Sequence, residues 1–134
     1  SSPTTLNGET TSTNPYGNFE ADFDLCELAK TAGASHVARW TTAHPTQSIK
    51  SIAKGIEKPG TSFIEILSQC PTHFKRSPSE MLRDFKKQTV RLEKMDETTA
   101  GKIPIGEFQD IQKPDWMSSY QKVVHSAQNK TIQD

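Results

Sequence analysis

Cysteine, histidine and hydroxyl side chains are the groups of this chain that could carry chemistry. The cysteines are Cys26 and Cys70, and the histidines are His36, His44, His73 and His125. Cys70 has the most informative surroundings. In Ile64-Glu65-Ile66-Leu67-Ser68-Gln69-Cys70-Pro71-Thr72-His73 an apolar run stops at a polar turn that carries the thiol and a proline. This reads as a buried strand whose carboxyl end presents a thiol, and in open α/β sheets that edge is where ligands and cofactors bind. Taken by itself, Cys70 is better explained as a small buried hydrophobe than as a metal or cluster ligand. One cysteine cannot hold a cluster, and Cys26 lies on a helix far away in sequence. The Cys70-Pro71-Thr72-His73 turn supplies only two zinc-type ligands, fewer than a structural site requires. The histidines show no i, i+4 pair and no zincin-type glutamate, and His44, just before a helix, reads as a surface or cap residue. Glu65 in mid-strand is expected to pair with Arg39 on the adjacent strand as a structural ion pair. The hydroxyl-rich residues 1–13 read as a solvated linker, with a loop wrapping an anionic cofactor as the sharper alternative. The sequence contains no glycine-rich phosphate loop, no serine-histidine-aspartate arrangement and no paired-carboxylate motif.

The elements that must position these residues follow from periodicity. Residues 1–21 are rich in Ser, Thr, Asn, Gly and Pro and read as a loop or disordered arm. Leu25, Leu28, Ala29 and Ala32 recur at helical spacing, with Gly33 as a C-cap. Residues 36–40 form a short strand. Residues 45–57 form a helix with Pro45 at its first position and Ile49, Ile52, Ala53 and Ile56 on one face. Residues 61–67 form a second strand. Strand, helix, strand is a βαβ unit with parallel strands and a right-handed crossover. Its geometry sets Trp40-Thr41-Thr42 and Ser68-Gln69-Cys70 on the same sheet edge. Ser77-Pro78-Ser79-Glu80 is a capping box. The helix it opens is expected to run to about Met95, with Met81, Leu82, Phe85 and Leu92 facing inward. A polar loop over 96–102 precedes a short strand over 103–108, placed at a sheet edge because Pro104 cannot donate to a ladder. A last amphipathic helix carries Trp116, Tyr120, Val123, Val124 and Ala127 on one face, and its polar end is expected to fray.

The chain has 134 residues, the size of one domain. Its 16 basic and 16 acidic side chains give a formal net charge of +0, which argues against nucleic-acid or membrane-surface partners recruited by bulk charge. No apolar run approaches a transmembrane span, and there is no visible signal peptide. Two cysteines make no disulfide framework, so a cytoplasmic setting is expected. Apolar residues make up only 32%, low for a self-sufficient domain. That deficit, and a start at Ser1-Ser2-Pro3, suggest a trimmed, processed or incomplete piece that completes its core against other chain.

Several strings together resemble one family. Ser2-Pro-Thr-Thr-Leu-Asn-Gly-Glu-Thr-Thr-Ser-Thr-Asn-Pro-Tyr-Gly-Asn18 is similar to the segment just after the thiamine diphosphate site in beta subunits of 2-oxoacid:ferredoxin oxidoreductases. Asp24-Leu25-Cys26-Glu27-Leu28-Ala29, Gly33 through Pro45 and Ser62 through Thr72 resemble the same subunit, in order, to about Phe108. Arg39-Trp40-Thr41-Thr42-Ala43-His44 and Ser68-Gln69-Cys70 look most like the 2-oxoglutarate members.

The resemblance implies an α/β fold of parallel-sheet βαβ layers, the carboxyl-terminal half of a thiamine diphosphate-binding domain. Residues 1–21 would be a loop flanking the thiamine site, 22–110 the α/β portion, and 111–134 a terminal helix and tail. It implies oxidative decarboxylation of a 2-oxoacid with coenzyme A as acceptor, and electrons passed to ferredoxin. The cofactors would be thiamine diphosphate, Mg2+ and a [4Fe-4S] cluster, and the partner an alpha subunit. It also implies that Cys70 completes the cluster begun by three upstream cysteines, which makes ligand the preferred reading of Cys70 and leaves Cys26 structural. The family's Gly-Asp-Gly segment and its asparagine, its Gly-Gly-Gln turn and those three cysteines fall upstream of Ser1. No catalytic or thiamine-binding residue is therefore assigned within this segment, and residues 1–134 alone are expected to be inactive and not to bind thiamine diphosphate. The alternative is a non-catalytic α/β fragment or assembly module that needs the upstream half for any activity.

Overall fold

A computed structural model describes residues 7–10, 14–71 and 76–131. His73 and Thr72, much of the Ser/Thr-rich arm and the expected frayed end lie outside the described residues.

After the arm, Asp24 opens helix α1, Leu25–Thr31, by accepting the Glu27 N–H at 3.0 Å. The cap suits the sequence, because a short carboxylate at this position satisfies a helix N–H that has no partner within the helix. Strand β1, His36–Thr41, follows. Helix α2 runs Pro45–Glu57, and strand β2 runs Ser62–Leu67. The two strands pair in parallel, with Arg39 opposite Glu65 and Thr41 opposite Leu67. The expected parallel strand-helix-strand unit is present, with strand bounds within one residue of those expected.

Beyond β2 the structure departs from expectation. Helix α3, Pro78–Gln88, has the expected capping box at Ser77. It stops well short of Met95, because Thr89–Arg91 is extended and forms strand β3. A β-branched Thr-Val pair favours that pleated backbone over a further helical turn. Strand β4, Ile103–Asp110, is not at an edge. The four-stranded sheet has the order β2-β1-β4-β3, so β4 is interior, antiparallel to β1 and parallel to β3. Pro104 is tolerated because β4 is shared along its length. Its start pairs with β3 (Val90 opposite Pro104) and only Gly106 onward pairs with β1. At Pro104 only one side of β4 is paired, which lets a residue without an N–H sit in an interior strand.

β1 is buried along its whole length. Val37 packs with Cys26 and Ala34 under α1, while Ala38 and Trp40 pack with Ile105 and Ile64 on the opposite, α2 face. β2, expected to be buried, is a half-buried edge strand.

The helix α2 has the expected extent and the opposite orientation. Ile49, Ile52, Ala53 and Ile56 were the expected inward stripe, yet Ile49 and Ile56 are exposed, while Ser48 and Ser51 are buried. Small residues let the helix approach the sheet closely. A Cβ on Gly55 would stand 2.8 Å from Ile64 Cδ1 and 3.2 Å from Ser62 Cβ. Helix α4, Trp116–Thr131, likewise leaves Trp116, Tyr120 and Val123 exposed. Among the described residues no helix is long and apolar enough to cross a membrane.

Candidate functional site

The carboxyl edge of β1 and β2 brings together the residues that the sequence placed there. Parallel register carries Thr42 past Thr41 to lie beside the exit of β2. The Thr42 N–H donates to the Leu67 carbonyl at 3.0 Å, and its hydroxyl donates to Gln69 Oε1. Cys70 follows as an exposed free thiol, not the small buried hydrophobe favoured on residues alone. Its backbone precedes Pro71, which disfavours the helical region for Cys70. Beyond the proline, the Arg76 N–H donates to the Pro71 carbonyl at 3.3 Å.

On the β1 side of the same edge, the Thr41 hydroxyl accepts the Ala43 N–H at 3.1 Å and lies 2.8 Å from His44 Nδ1. The Thr41 hydroxyl can serve either tautomer of the ring, as donor or as acceptor. His44 is held below its ordinary pKa by partial burial and by the charges of Arg91 and Lys86, which favours a neutral ring. His44 thus sits at the N-cap position of α2 as expected, but gives the helix no side-chain cap. Trp40 lies behind it, donating Nε1–H to Ser51 Oγ at 2.7 Å, with the Arg91 guanidinium 5.8 Å from its ring centre.

The α1 face carries a buried charge cluster. Arg39 pairs with Glu65 through Nε and with Asp24 through Nη2 at 2.6 Å, and its guanidinium lies 5.0 Å from the Phe108 ring centre. The Glu65 pair was expected, whereas the Asp24 contact was not foreseen. Asp24 holds a helix cap and a cation at once; burial opposes its charge, but Arg39 keeps its carboxyl below the usual range. Cys26 is fully buried, and its Sγ lies 3.5 Å from Glu65 Oε2. Burial chiefly, with the nearby carboxylates, pushes this thiol up to about 12. It is a protonated packing group, as its structural reading requires. A cavity of about 240 Å³ opens beside the cluster, lined in part by Phe23, Asp24, Arg39, Glu65, Leu67 and Lys102.

Two other histidines, His36 and His125, lie among the described residues. His36 is buried against α2, and neither ring nitrogen has a hydrogen-bond partner. His125 is exposed on α4. Among the described residues no three His, Cys, Asp or Glu side chains are grouped to hold a metal ion. Among the described residues the accessible thiol at the carboxyl edge is that of Cys70, a donor that fits one ligand of a cluster whose other ligands come from elsewhere.

The structure is a mixed α/β sheet with polar residues and an accessible thiol at one strand edge, and comparison with known proteins shows what it is similar to. Residues 2–66 match the family described as thiamine pyrophosphate enzyme, C-terminal TPP binding domain. The chain is 44% identical, over 96% of its length, to the 2-oxoglutarate synthase subunit KorB of Methanocaldococcus jannaschii, covering 51% of that protein. It is 49% identical to KorB of Methanothermobacter marburgensis over 85% of this chain and 43% of that one. The fold is similar to 2-oxoglutarate:ferredoxin oxidoreductase from Magnetococcus marinus, a structure with 2-oxoglutarate, coenzyme A and succinyl-CoA bound. The TM-score is 0.73 at 23% identity, covering 98% of this chain and 50% of that one. The resemblance read from the sequence therefore holds, and so does the α/β class. The chain spans about half the length of the relatives it matches.

Proposed function

We propose that this chain is the thiol-bearing part of a 2-oxoglutarate:ferredoxin oxidoreductase, working with an alpha subunit, coenzyme A and ferredoxin in the cytoplasm. The observation that carries the reading is an exposed cysteine at the carboxyl edge of β2, in a chain 44% identical to a 2-oxoglutarate synthase subunit. Free cysteines fit a reducing compartment.

Cys70 is the metal ligand of this reading. When bound, thiamine diphosphate with Mg2+ would supply carbanion stabilisation and a [4Fe-4S] cluster a one-electron relay. The contribution of this chain is local. The Thr42 contacts fix Leu67 and the Gln69 side chain just before Cys70, whose thiol stays accessible. Cys26 cannot substitute, because it is enclosed on the inner face of α1 and its thiol resists ionisation.

The test compares Cys70→Ser with Cys26→Ser in the complete oxidoreductase, purified without oxygen. Iron content and the reduced-cluster spectrum should fall for Cys70→Ser and persist for Cys26→Ser. Full iron in Cys70→Ser, or loss only in Cys26→Ser, would reject the assignment.

A further inference from the structure

We infer that Thr42 is a positioning residue for Cys70. The inference rests on the reading of Cys70 as a cluster ligand. β2 ends at Leu67, and residues 68–70 lie outside any ladder. A thiolate that must point at a metal therefore sits on backbone the sheet does not hold. The structure supplies the missing restraint from the turn residue that follows the neighbouring strand. The Thr42 backbone N–H bonds the Leu67 carbonyl, and the Thr42 hydroxyl bonds the amide oxygen of Gln69, the residue before Cys70. Among the described residues, the other side-chain contact within this segment is weak, Ser68 Oγ to the Gln69 carbonyl at 3.5 Å.

Thr42 is itself well anchored. It continues β1 directly from Thr41, which is fully buried and tied to Ala43 and His44 at the start of α2. The restraint thus runs from the helix and central strand, through one hydroxyl, to the residue adjoining the thiol. Thr42 is exposed. A hydrogen bond between exposed side chains adds little to fold stability, so its effect should appear in the metal site and not in melting. Groups that orient metal ligands typically change metal affinity or activity by about 10–100-fold when removed.

The experiment uses the complete oxidoreductase with Thr42→Val, Thr42→Ser and Gln69→Leu, and Cys70→Ser as reference. The readouts are the rate of iron release to a chelator, the line shape of the reduced-cluster resonance and the melting temperature. Thr42→Val should release iron about 10-fold faster with an altered line shape and an unchanged melting temperature. Gln69→Leu should behave alike, and Thr42→Ser, which keeps the hydroxyl, should match wild type. Wild-type iron release in both Thr42→Val and Gln69→Leu would overturn the inference while leaving Cys70 as ligand, provided Cys70→Ser has lost iron. Faster release that Thr42→Ser shares, or that accompanies a lowered melting temperature, would overturn it in favour of a merely structural role. Full iron in Cys70→Ser would remove the underlying reading and this inference with it.

Discussion

Without the Arg39 guanidinium, the Glu65 carboxylate would stay largely enclosed with no cation, and Asp24 would lose its partner across the cavity. Arg39→Met should therefore destabilise the protein by about 3–5 kcal/mol, read as a drop in the urea midpoint. An unchanged midpoint would show that the cluster is not coupled to folding. Cys26 has a pH consequence. Its thiol is raised from about 9 to about 12 in the folded state. The unfolded chain releases this proton first, so the stability due to Cys26 is complete below about pH 9 and is lost as pH rises towards 12. Urea midpoints between pH 8 and 11 should fall more steeply for wild type than for Cys26→Ala. The Arg39–Glu65 pair was legible in the sequence because parallel strands fix which residues lie side by side. The Asp24 contact was not, because a helix-capping side chain reaching across to a strand follows no sequence period. The accessibility of Cys70 was legible from its place at a strand's carboxyl end and from the resemblance, whereas residue type alone favoured burial, which depends on neighbours that residue type does not name.

At the scale of elements, the bounds of α2 and β2 were readable from periodicity and from Pro45, whereas the orientation of α2 was not. An isoleucine stripe marks a face able to bury apolar surface. Close approach instead selected the stripe of Ser48, Ser51 and Gly55. Ile56→Gln should accordingly shift stability of the isolated chain by no more than about 0.5 kcal/mol. β4 was misplaced because proline was read as an edge marker, although half of an interior strand can lack one neighbour. Gly60, after α2, has φ +99°, and a Cβ there would stand 2.6 Å from Ser35 Oγ. That hydroxyl donates to the Pro59 carbonyl at 2.8 Å and so cannot readily give way. Gly60→Ala should cost more than about 1 kcal/mol in chemical denaturation, and a neutral result would mean that the turn can rearrange.

Across the whole molecule, polar residues fill positions against the sheet while Ile49, Ile56, Trp116, Tyr120 and Val123 face outward. The low apolar content hinted at this deficit, but not at which surfaces would show it. The α/β class was legible because one strand-helix-strand repeat determines most of it; the mixed strand sense was not, because β3 and β4 are set by long-range pairing. Residues 1–134 alone should show no magnesium-dependent thiamine diphosphate binding by calorimetry, since among the described residues no three His, Cys, Asp or Glu side chains are grouped to hold the metal ion. Tight binding would require a new site assignment.

The place of β1 between β2 and β4 also sets an order of events during synthesis. β2 emerges soon after β1, but the antiparallel neighbour is complete only at Asp110. At the about 5–20 residues per second typical of translation, the stretch from Leu67 to Asp110 takes roughly 2–9 s. Throughout that interval one side of β1 presents open backbone donors and acceptors, the kind of template that chaperones shield and that stray strands can capture. The most enclosed strand of the sheet thus passes through a period with one side open.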